Sequence, residues 1–311
     1  MVDIRSNKSF APKRTWKAAS AVGLNQYRLR GGLEEPIAGP SRSIGLPPEH
    51  PTLPSLLKKA GYRTALFGKW HLGFLPVFSP LKSGYDVFFG DYGGGIDYFT
   101  HKARSGAQAR DDLYEGEVPV QKVGYYTDLL AERAVEYIGQ QKSDNPFFLS
   151  LHFTAPHWPW EGPQDEQIAR DVTDIFHYDG GNLATYAKMV TALDAAVGRV
   201  LAALQKRGLA DNTIIVFTSD NGGERFSRTW PFSGQKTELL EGGIRVPAIV
   251  RWPRRLAAGQ VSEQVAIAGC TSSRPTSNTP SAMQAGTSSS TRCAAAMWTP
   301  CSCAGLRATP Q

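Results

Sequence analysis

The stretch Gly61-Tyr62-Arg63-Thr64-Ala65-Leu66-Phe67-Gly68-Lys69-Trp70-His71-Leu72-Gly73 decides how this chain is read. Residues 63–68 read as a strand that ends in glycine, and Lys69 and His71 follow it two residues apart. Side-chain direction repeats every two residues in extended backbone, so the ammonium and the imidazole leave the strand end on the same side. A cation beside a hydrogen-bonding ring outlines an anion site. Just before the strand, residues 51–60 (PTLPSLLKKA) put Leu53, Leu56, Leu57 and Ala60 on one face of a short helix, with Gly61 as its C-terminal stop.

Outward from there the alternation of helix and strand repeats. Residues 127–140 space Leu130, Ala134, Tyr137 and Ile138 as a helix, and Pro146 precedes a buried strand over 147–153. The longest helix is expected over 184–207, with Val190, Leu193, Val197, Val200, Leu201 and Leu204 on its apolar face and Gly208 ending it. A strand follows over 213–218. This order predicts an α/β fold with a largely parallel sheet. In such sheets ligands bind beyond the carboxyl ends of the strands. Three polar segments sit at those ends: 68–73 (GKWHLG), 155–160 (APHWPW) and 219–224 (SDNGGE). One composite site is therefore expected. Asp220 and Asn221 offer adjacent hard oxygens of the kind calcium or magnesium takes, and the glycines after them let the backbone turn tightly.

At 311 residues with 41% hydrophobic content, the chain can bury a substantial core. The net charge of +6 is spread along the sequence, which favours a mildly basic surface over a nucleic-acid partner. No apolar run reaches the roughly 18 residues of a membrane span, so no membrane partner is expected. The N-terminus lacks the apolar core of a secretory signal, so the chain as written is expected in the cytoplasm. From residue 268 onward there is no Asp or Glu, and Leu306 is the sole residue among Leu, Ile, Val and Phe. This Ser/Thr-rich segment, which holds all four cysteines, is expected to stay unpacked, because it has little to bury against its ordering entropy. His50, His101 and His177 read as surface histidines and His152 as a structural one. Trp158, Trp160, Tyr92, Tyr98 and Phe99 fit either an aryl or sugar pocket or packing beneath a long loop.

GKWHLG (68–73), Ala155-Pro156-His157-Trp158-Pro159, Phe217-Thr218-Ser219-Asp220-Asn221-Gly222-Gly223-Glu224 and Gln235-Lys236-Thr237-Glu238-Leu239-Leu240-Glu241-Gly242-Gly243-Ile244-Arg245-Val246-Pro247 resemble, in order, the active-site segments of the sulfatases. That family lies in the alkaline phosphatase superfamily. The resemblance implies an alkaline-phosphatase-like fold, here incomplete at both ends, with a mostly parallel central sheet flanked by helices. It implies arylsulfatase-type hydrolysis of sulfate esters, with a small-molecule or saccharide sulfate ester as substrate. Lys69 and Lys236 match the sulfate-contacting lysines, His71 the histidine near the catalytic aldehyde hydrate, and His157 the one near the leaving group. Asp220 and Asn221 match half of a site for Ca²⁺, ahead of Mg²⁺; the Asp-Asp pair that forms the other half is absent.

The nucleophile departs from the pattern. Sulfatases carry Cys/Ser-x-Pro-x-Arg, whose first residue a formylglycine-generating enzyme oxidises to formylglycine. The best match here is Phe10-Ala11-Pro12-Lys13-Arg14, in which Arg14 keeps its place and Phe10 takes the nucleophile's. Ser9 is adjacent but out of register. The chain thus divides into a disturbed N-terminal segment (1–25), a partial sulfatase-like catalytic domain (26–267) and a disordered or frame-shifted tail (268–311). Impaired activity is expected. The activating enzyme, and a periplasmic or secreted location, belong to an intact parent. A phosphate or phosphonate ester hydrolase of the same superfamily, or a non-catalytic anion-binding remnant, are the alternatives.

Overall fold

The computed structural model describes residues 27–30, 33–36, 42–104, 109–172, 181–262 and 294–298. In chain order, β1 (Tyr27–Arg30) and β2 (Leu33–Pro36) form an antiparallel hairpin of their own. α1 (Leu53–Lys59) leads into β3 (Arg63–Gly68), and β4 (Val87–Asp91) follows. Short strands come next: β5 (Lys102–Arg104), β6 (Arg110–Asp111), β7 (Leu113–Glu115) and β8 (Val118–Pro119). Then come α2 (Tyr126–Gly139), β9 (Phe147–His152), α3 (Glu166–Asp171), α4 (Leu183–Lys206) and β10 (Thr213–Thr218). α5 (Glu241–Ile244), β11 (Ala248–Arg251) and β12 (Ala294–Trp298) complete the described elements.

The central sheet has eight strands in the order β11-β10-β12-β9-β3-β4-β7-β8. The pairs from β10 through β4 are all parallel, and β11, β7 and β8 are added antiparallel at the ends. The α/β reading with a mostly parallel sheet holds. β3 and β9 are buried on nearly every residue, as strands covered on both faces must be. On one face, Ala65, Phe67, Leu149 and Leu151 pack with Leu130, Ala134 and Ile138 of α2 and with Met189, Leu193, Ala196 and Val200 of α4. On the other, Leu66, Trp70, Phe88, Tyr92 and Phe148 form a second cluster. Each of these large side chains contributes about 1.5–3 kcal/mol by leaving water.

The helix boundaries differ from the expected ones by one residue in α2 and α4 and by up to two in α1. Thr52 and Ser55 close a capping box on α1, and Gly61 follows it in the left-handed region at φ 87°. The buried face of α1 is narrower than its pattern suggests. Leu56 is 46% exposed and Leu53 is also on the surface, because a seven-residue helix at the sheet margin turns only Pro54 fully inward. α4 buries Leu193, Val200 and Leu204 together with Tyr186, Met189 and Ala196, while Val190, Val197 and Leu201 are only partly buried against the core.

The tail reading meets a difference. Within 268–311, Ala294–Trp298 forms β12, parallel to both β9 and β10, while the rest of that segment lies outside the described residues. The composition argument weighs side-chain burial and misses what a backbone can do. β12 supplies donors and acceptors to the facing edges of two inner strands, which would otherwise be left without partners.

Candidate active site

The first cation enters from β3. At its end Gly68 turns the chain at φ 109°, where a Cβ would lie 1.9 Å from the His152 carbonyl oxygen, so only glycine permits this approach to β9. The Lys69 amide then donates to the His152 oxygen at 3.2 Å, and the Trp70 amide to the Asp91 oxygen at 2.8 Å. Trp70 is buried in the second core cluster and its indole N–H donates to the Phe78 oxygen at 3.2 Å. Anchoring Trp70 on one side leaves Lys69 and His71 half-buried on the other. His71 sits in the left-handed region at φ 48°, a conformation that costs a non-glycine residue about 1 kcal/mol or more. Gly94 makes room for its ring, since a Cβ there would lie 2.6 Å from the imidazole.

The second cation arrives from the loops after β10. The Gly222 amide donates to the Gly243 oxygen at 2.9 Å, the Lys236 amide to the Gly223 oxygen at 2.8 Å and the Gly242 amide to the Ser233 oxygen at 2.8 Å. A Cβ on Gly222 would lie 2.0 Å from the Gly242 oxygen, so the two loops meet backbone to backbone. Lys236 Nζ pairs with Glu224 at 3.3 Å.

His157 closes the site from the loop after β9. Its Nδ1 lies 2.7 Å from the Trp158 carbonyl oxygen, which can only accept, so Nδ1 carries the proton and Nε2 is the acceptor. Tyr98 holds the segment by donating its hydroxyl to the His157 oxygen at 3.0 Å. Burial, then Lys236 and Lys69, then His71, hold the His157 imidazole well below its ordinary range. Burial, then Lys69 and Lys236, bring His71 down to about 3. Lys69, His71, His157 and Lys236 thus share one electrostatic neighbourhood, in which two ammonium groups act on two neutral imidazoles. A doubly negative ligand there would offset both lysines and restore basicity to both rings.

Asp220 and Asn221 follow β10. Asp220 is exposed and acts on His152, whose Nδ1 donates to the Lys69 oxygen at 3.0 Å. The Asn221 Oδ1 is buried and accepts no hydrogen bond within the protein, which is what an oxygen reserved for a cation would look like. Yet calcium takes roughly six to eight oxygens. Among the described residues no cluster of three or more His, Cys, Asp or Glu could hold a metal ion. The donors among the described residues do not complete a calcium site, so no chemical step here runs through one. Arg14 and Phe10 lie outside the described residues.

The sequence model of the Sulfatase family matches residues 18–273. The chain belongs to the sulfatase family. It is 34% identical over 248 residues to arylsulfatase J of Mus musculus, covering 77% of this chain and 40% of that protein. It is 37% identical over 238 residues to N-acetylgalactosamine-6-sulfatase of Mus musculus, covering 71% and 43%. The chain therefore spans about two-fifths of the length of these relatives. Among solved structures it is similar to Ps i-CgsB in complex with k-i-k-neocarrahexaose, with a TM-score of 0.61 at 31% identity, covering 78% of this chain and 56% of that one. BT4656 in complex with D-glucosamine-2-N,6-O-disulfate has the same fold, with a TM-score of 0.51 at 23% identity. The fold of this sulfatase-family chain is accordingly alkaline-phosphatase-like.

Three side chains of this sulfatase-family site carry more than the sequence suggested. His101 is buried, with Nε2 3.1 Å from the Gly124 oxygen, so it is no surface histidine. His152 links the Lys69 loop to Asp220. Asp91, at the end of β4, is fully buried beside this region. A carboxylate closing the apolar run 87–90 was the signal for it. The aromatic group mostly packs inward: Tyr92, Tyr98 and Trp160 belong to the core, and Phe99 and Trp158 are partly buried against it.

Proposed function

We propose that this chain is the anion-binding core of a sulfuric ester hydrolase of arylsulfatase type, taking the sulfate group of an aryl or saccharide sulfate between Lys69, Lys236, His71 and His157. What supports the reading is that those four side chains lie within electrostatic reach of one another, on three separate loops beyond the carboxyl ends of parallel strands, in a chain of the sulfatase family. Two ammonium groups offset the charge on the sulfuryl oxygens. His157, with Nδ1 committed to the Trp158 oxygen, offers Nε2 to accept a proton. Once a bound sulfate raises its basicity, the same ring is placed to return that proton to a departing oxygen. A saccharide ester is supported by the neocarrahexaose in complex with Ps i-CgsB.

Turnover in this chain is proposed to be impaired. Phe10 stands where the resemblance puts the nucleophile, and a phenyl ring offers no oxygen to attack sulfur. Calcium at Asp220 and Asn221 is proposed as a weak site for the same reason of missing partners.

The test is sulfate binding by isothermal titration, together with hydrolysis of nitrophenyl sulfate by chain co-expressed with a formylglycine-generating enzyme, each beside Lys69→Ala. Expected are sulfate binding that the substitution abolishes and turnover far below about 1 per second, an ordinary enzymatic rate. No sulfate binding by the parent chain would sink the pocket. Rapid turnover lost in Lys69→Ala would sink the impairment and point to Ser9 as the first nucleophile to test.

A further inference from the structure

β3 and β4 run parallel with Ala65 opposite Val87, Leu66 opposite Phe88 and Phe67 opposite Phe89. Two residues further along the same register, Lys69 stands beside Asp91. The strands stay close beyond their ends: a Cβ on Gly90 would lie 2.0 Å from the Gly68 oxygen, and the Trp70 amide donates to the Asp91 oxygen. Phe67 and Phe89 face the α2 side of the sheet, and so does Asp91, whose Oδ1 accepts the Tyr126 hydroxyl of α2 at 2.6 Å. Its Oδ2 is buried and accepts no hydrogen bond within the protein. A fully buried carboxyl with one oxygen unsatisfied is costly and calls for a reason.

We propose that Asp91 is a positioning residue for the anion pocket: ionised, its buried carboxyl offsets the charge of Lys69; protonated, it leaves that charge whole, so a buried acid outside the pocket sets its affinity for sulfate. The inference rests on the pocket proposed above and adds a pH dependence to it.

The groups that face Asp91 are Lys69 from the end of β3, Tyr126 from α2 and Asp112 from just before β7. Asp112 Oδ2 accepts the Gly93 amide at 2.8 Å and has Arg110 near it. His101 packs its ring against Tyr126 at 5.8 Å. Burial pushes the Asp91 carboxyl up to about 6, against the Tyr126 hydrogen bond and the Lys69 charge. Burial, and then Asp91 itself, push Asp112 up to about 7, so the two carboxyls titrate as a coupled pair. His71 is down at about 3, and burial lowers His157, His152 and His101 as well.

The sign follows from linkage. A bound dianion disfavours an ionised carboxyl nearby, so sulfate binding takes up a proton, and affinity falls as pH rises through the Asp91 titration. Sulfate stays doubly charged throughout, which makes it a cleaner probe than phosphate. A displacement of one pKa unit by bound sulfate corresponds to about a tenfold change in affinity.

The test is titration of the full chain with sodium sulfate at pH 5, 6, 7 and 8 at fixed ionic strength, in the parent, Asp91→Asn, Tyr126→Phe and Lys69→Ala. Expected is an affinity about tenfold tighter at pH 5 than at pH 8 in the parent. Asp91→Asn should bind sulfate more tightly than the parent at pH 8 and equally at pH 5. Tyr126→Phe removes a hydrogen bond that favours the ionised form, so it should move the midpoint to higher pH, and this arm keeps the test alive if Asp91→Asn does not fold. A parent without pH dependence, or an Asp91→Asn variant that binds no tighter than the parent at pH 8, overturns the role of Asp91 while leaving the pocket standing. Sulfate binding that survives in Lys69→Ala overturns both.

Discussion

Lys69 and Lys236 act on the same two histidines from differently built parts of one sheet, its packed middle and its margin near β11. Lys69 rides on β3, which with β9 is packed on both faces by α2, α4 and the aromatic cluster around Trp70. Lys236 rides on loops beyond β10, beside a strand whose four residues are all exposed, Ile249 at 61% among them, and Leu239, Leu240 and Ile244 nearby are exposed too. On the first side the cation's place is fixed by packing. On the second it is fixed by backbone hydrogen bonds between glycine-rich loops, while the ammonium itself is held by Glu224 in competition with any anion. Damage on the first side should therefore register as lost stability, and damage on the second as lost ligand binding.

The largest effect should come from the packed side. Leu149→Ala in β9 removes a fully buried side chain from the main core, and such a deletion costs about 2–5 kcal/mol. Ile249→Ala in β11 should stay within about 0.5 kcal/mol, the usual range for exposed positions. Equilibrium urea unfolding compares them, and equal losses would erase the distinction between the two parts.

Next comes a substitution that should separate stability from binding. Gly222→Ala forces a methyl group toward the Gly242 oxygen, 2.0 Å from an ideal Cβ, so the loop carrying Lys236 must move. Overpacking of this kind costs about 1–3 kcal/mol. Because the loops lie away from the main core, the urea midpoint should fall less than in Leu149→Ala while sulfate affinity falls at least about tenfold, or 1.4 kcal/mol. Intact sulfate binding would mean that the contact between the loops does not place Lys236.

How much of this was legible in the sequence follows the same division. β3 and β10 have the boundaries their apolar runs indicate, and α2 and α4 fall within a residue of theirs, because helical and strand periodicities report burial directly. Lys69, His71 and His157 were legible as strand-end motifs, whereas Lys236 was legible only through the family resemblance. Asp91 was not legible, because a lone acid after Val87–Gly90 is also what a solvated strand end looks like, and only the β3–β4 register brings it beside Lys69. His101 was misread because its burial comes from tertiary contacts with Gly124 and Tyr126, well away in sequence. β12 was missed because its place in the sheet is a matter of backbone pairing, which composition does not record.

A smaller effect should come from the ion pair on the exposed side. Glu224 holds Lys236 in a pair whose side chains are both about one-fifth exposed, and sulfate must compete with it. Glu224→Gln keeps the shape and removes the charge. A partly buried pair is worth about 1 kcal/mol, so sulfate should bind about fivefold tighter. The matching change on the other side is Asp91→Asn, whose gain should appear at pH 8 and vanish at pH 5, whereas that of Glu224→Gln should persist at both. If the two variants respond alike to pH, the two parts of the sheet do not tune the pocket by different means.

The smallest expected effect is that of calcium, which probes the boundary between the two sides. Asp220 leaves β10 and acts on His152, which in turn bonds the Lys69 loop, so a cation on Asp220 and the orphaned Asn221 Oδ1 would tie the loosely built margin to the packed middle. With one carboxylate and one amide oxygen against the roughly six to eight oxygens calcium prefers, the dissociation constant should be at the weak, millimolar end of the known range. At a concentration equal to that constant the gain in stability is RT ln 2, about 0.4 kcal/mol, or a rise in melting temperature of about 1–2 °C for a domain of this size. Thermal melts in 5 mM calcium chloride, in 5 mM magnesium chloride and in chelator test it. Calcium should exceed magnesium, whose octahedral geometry two protein oxygens constrain poorly, and Asp220→Asn should abolish the difference. A rise above about 5 °C that Asp220→Asn removes would mean that further oxygens reach this point from residues outside those described, and that the two parts of the sheet are bound together far more firmly than their packing indicates.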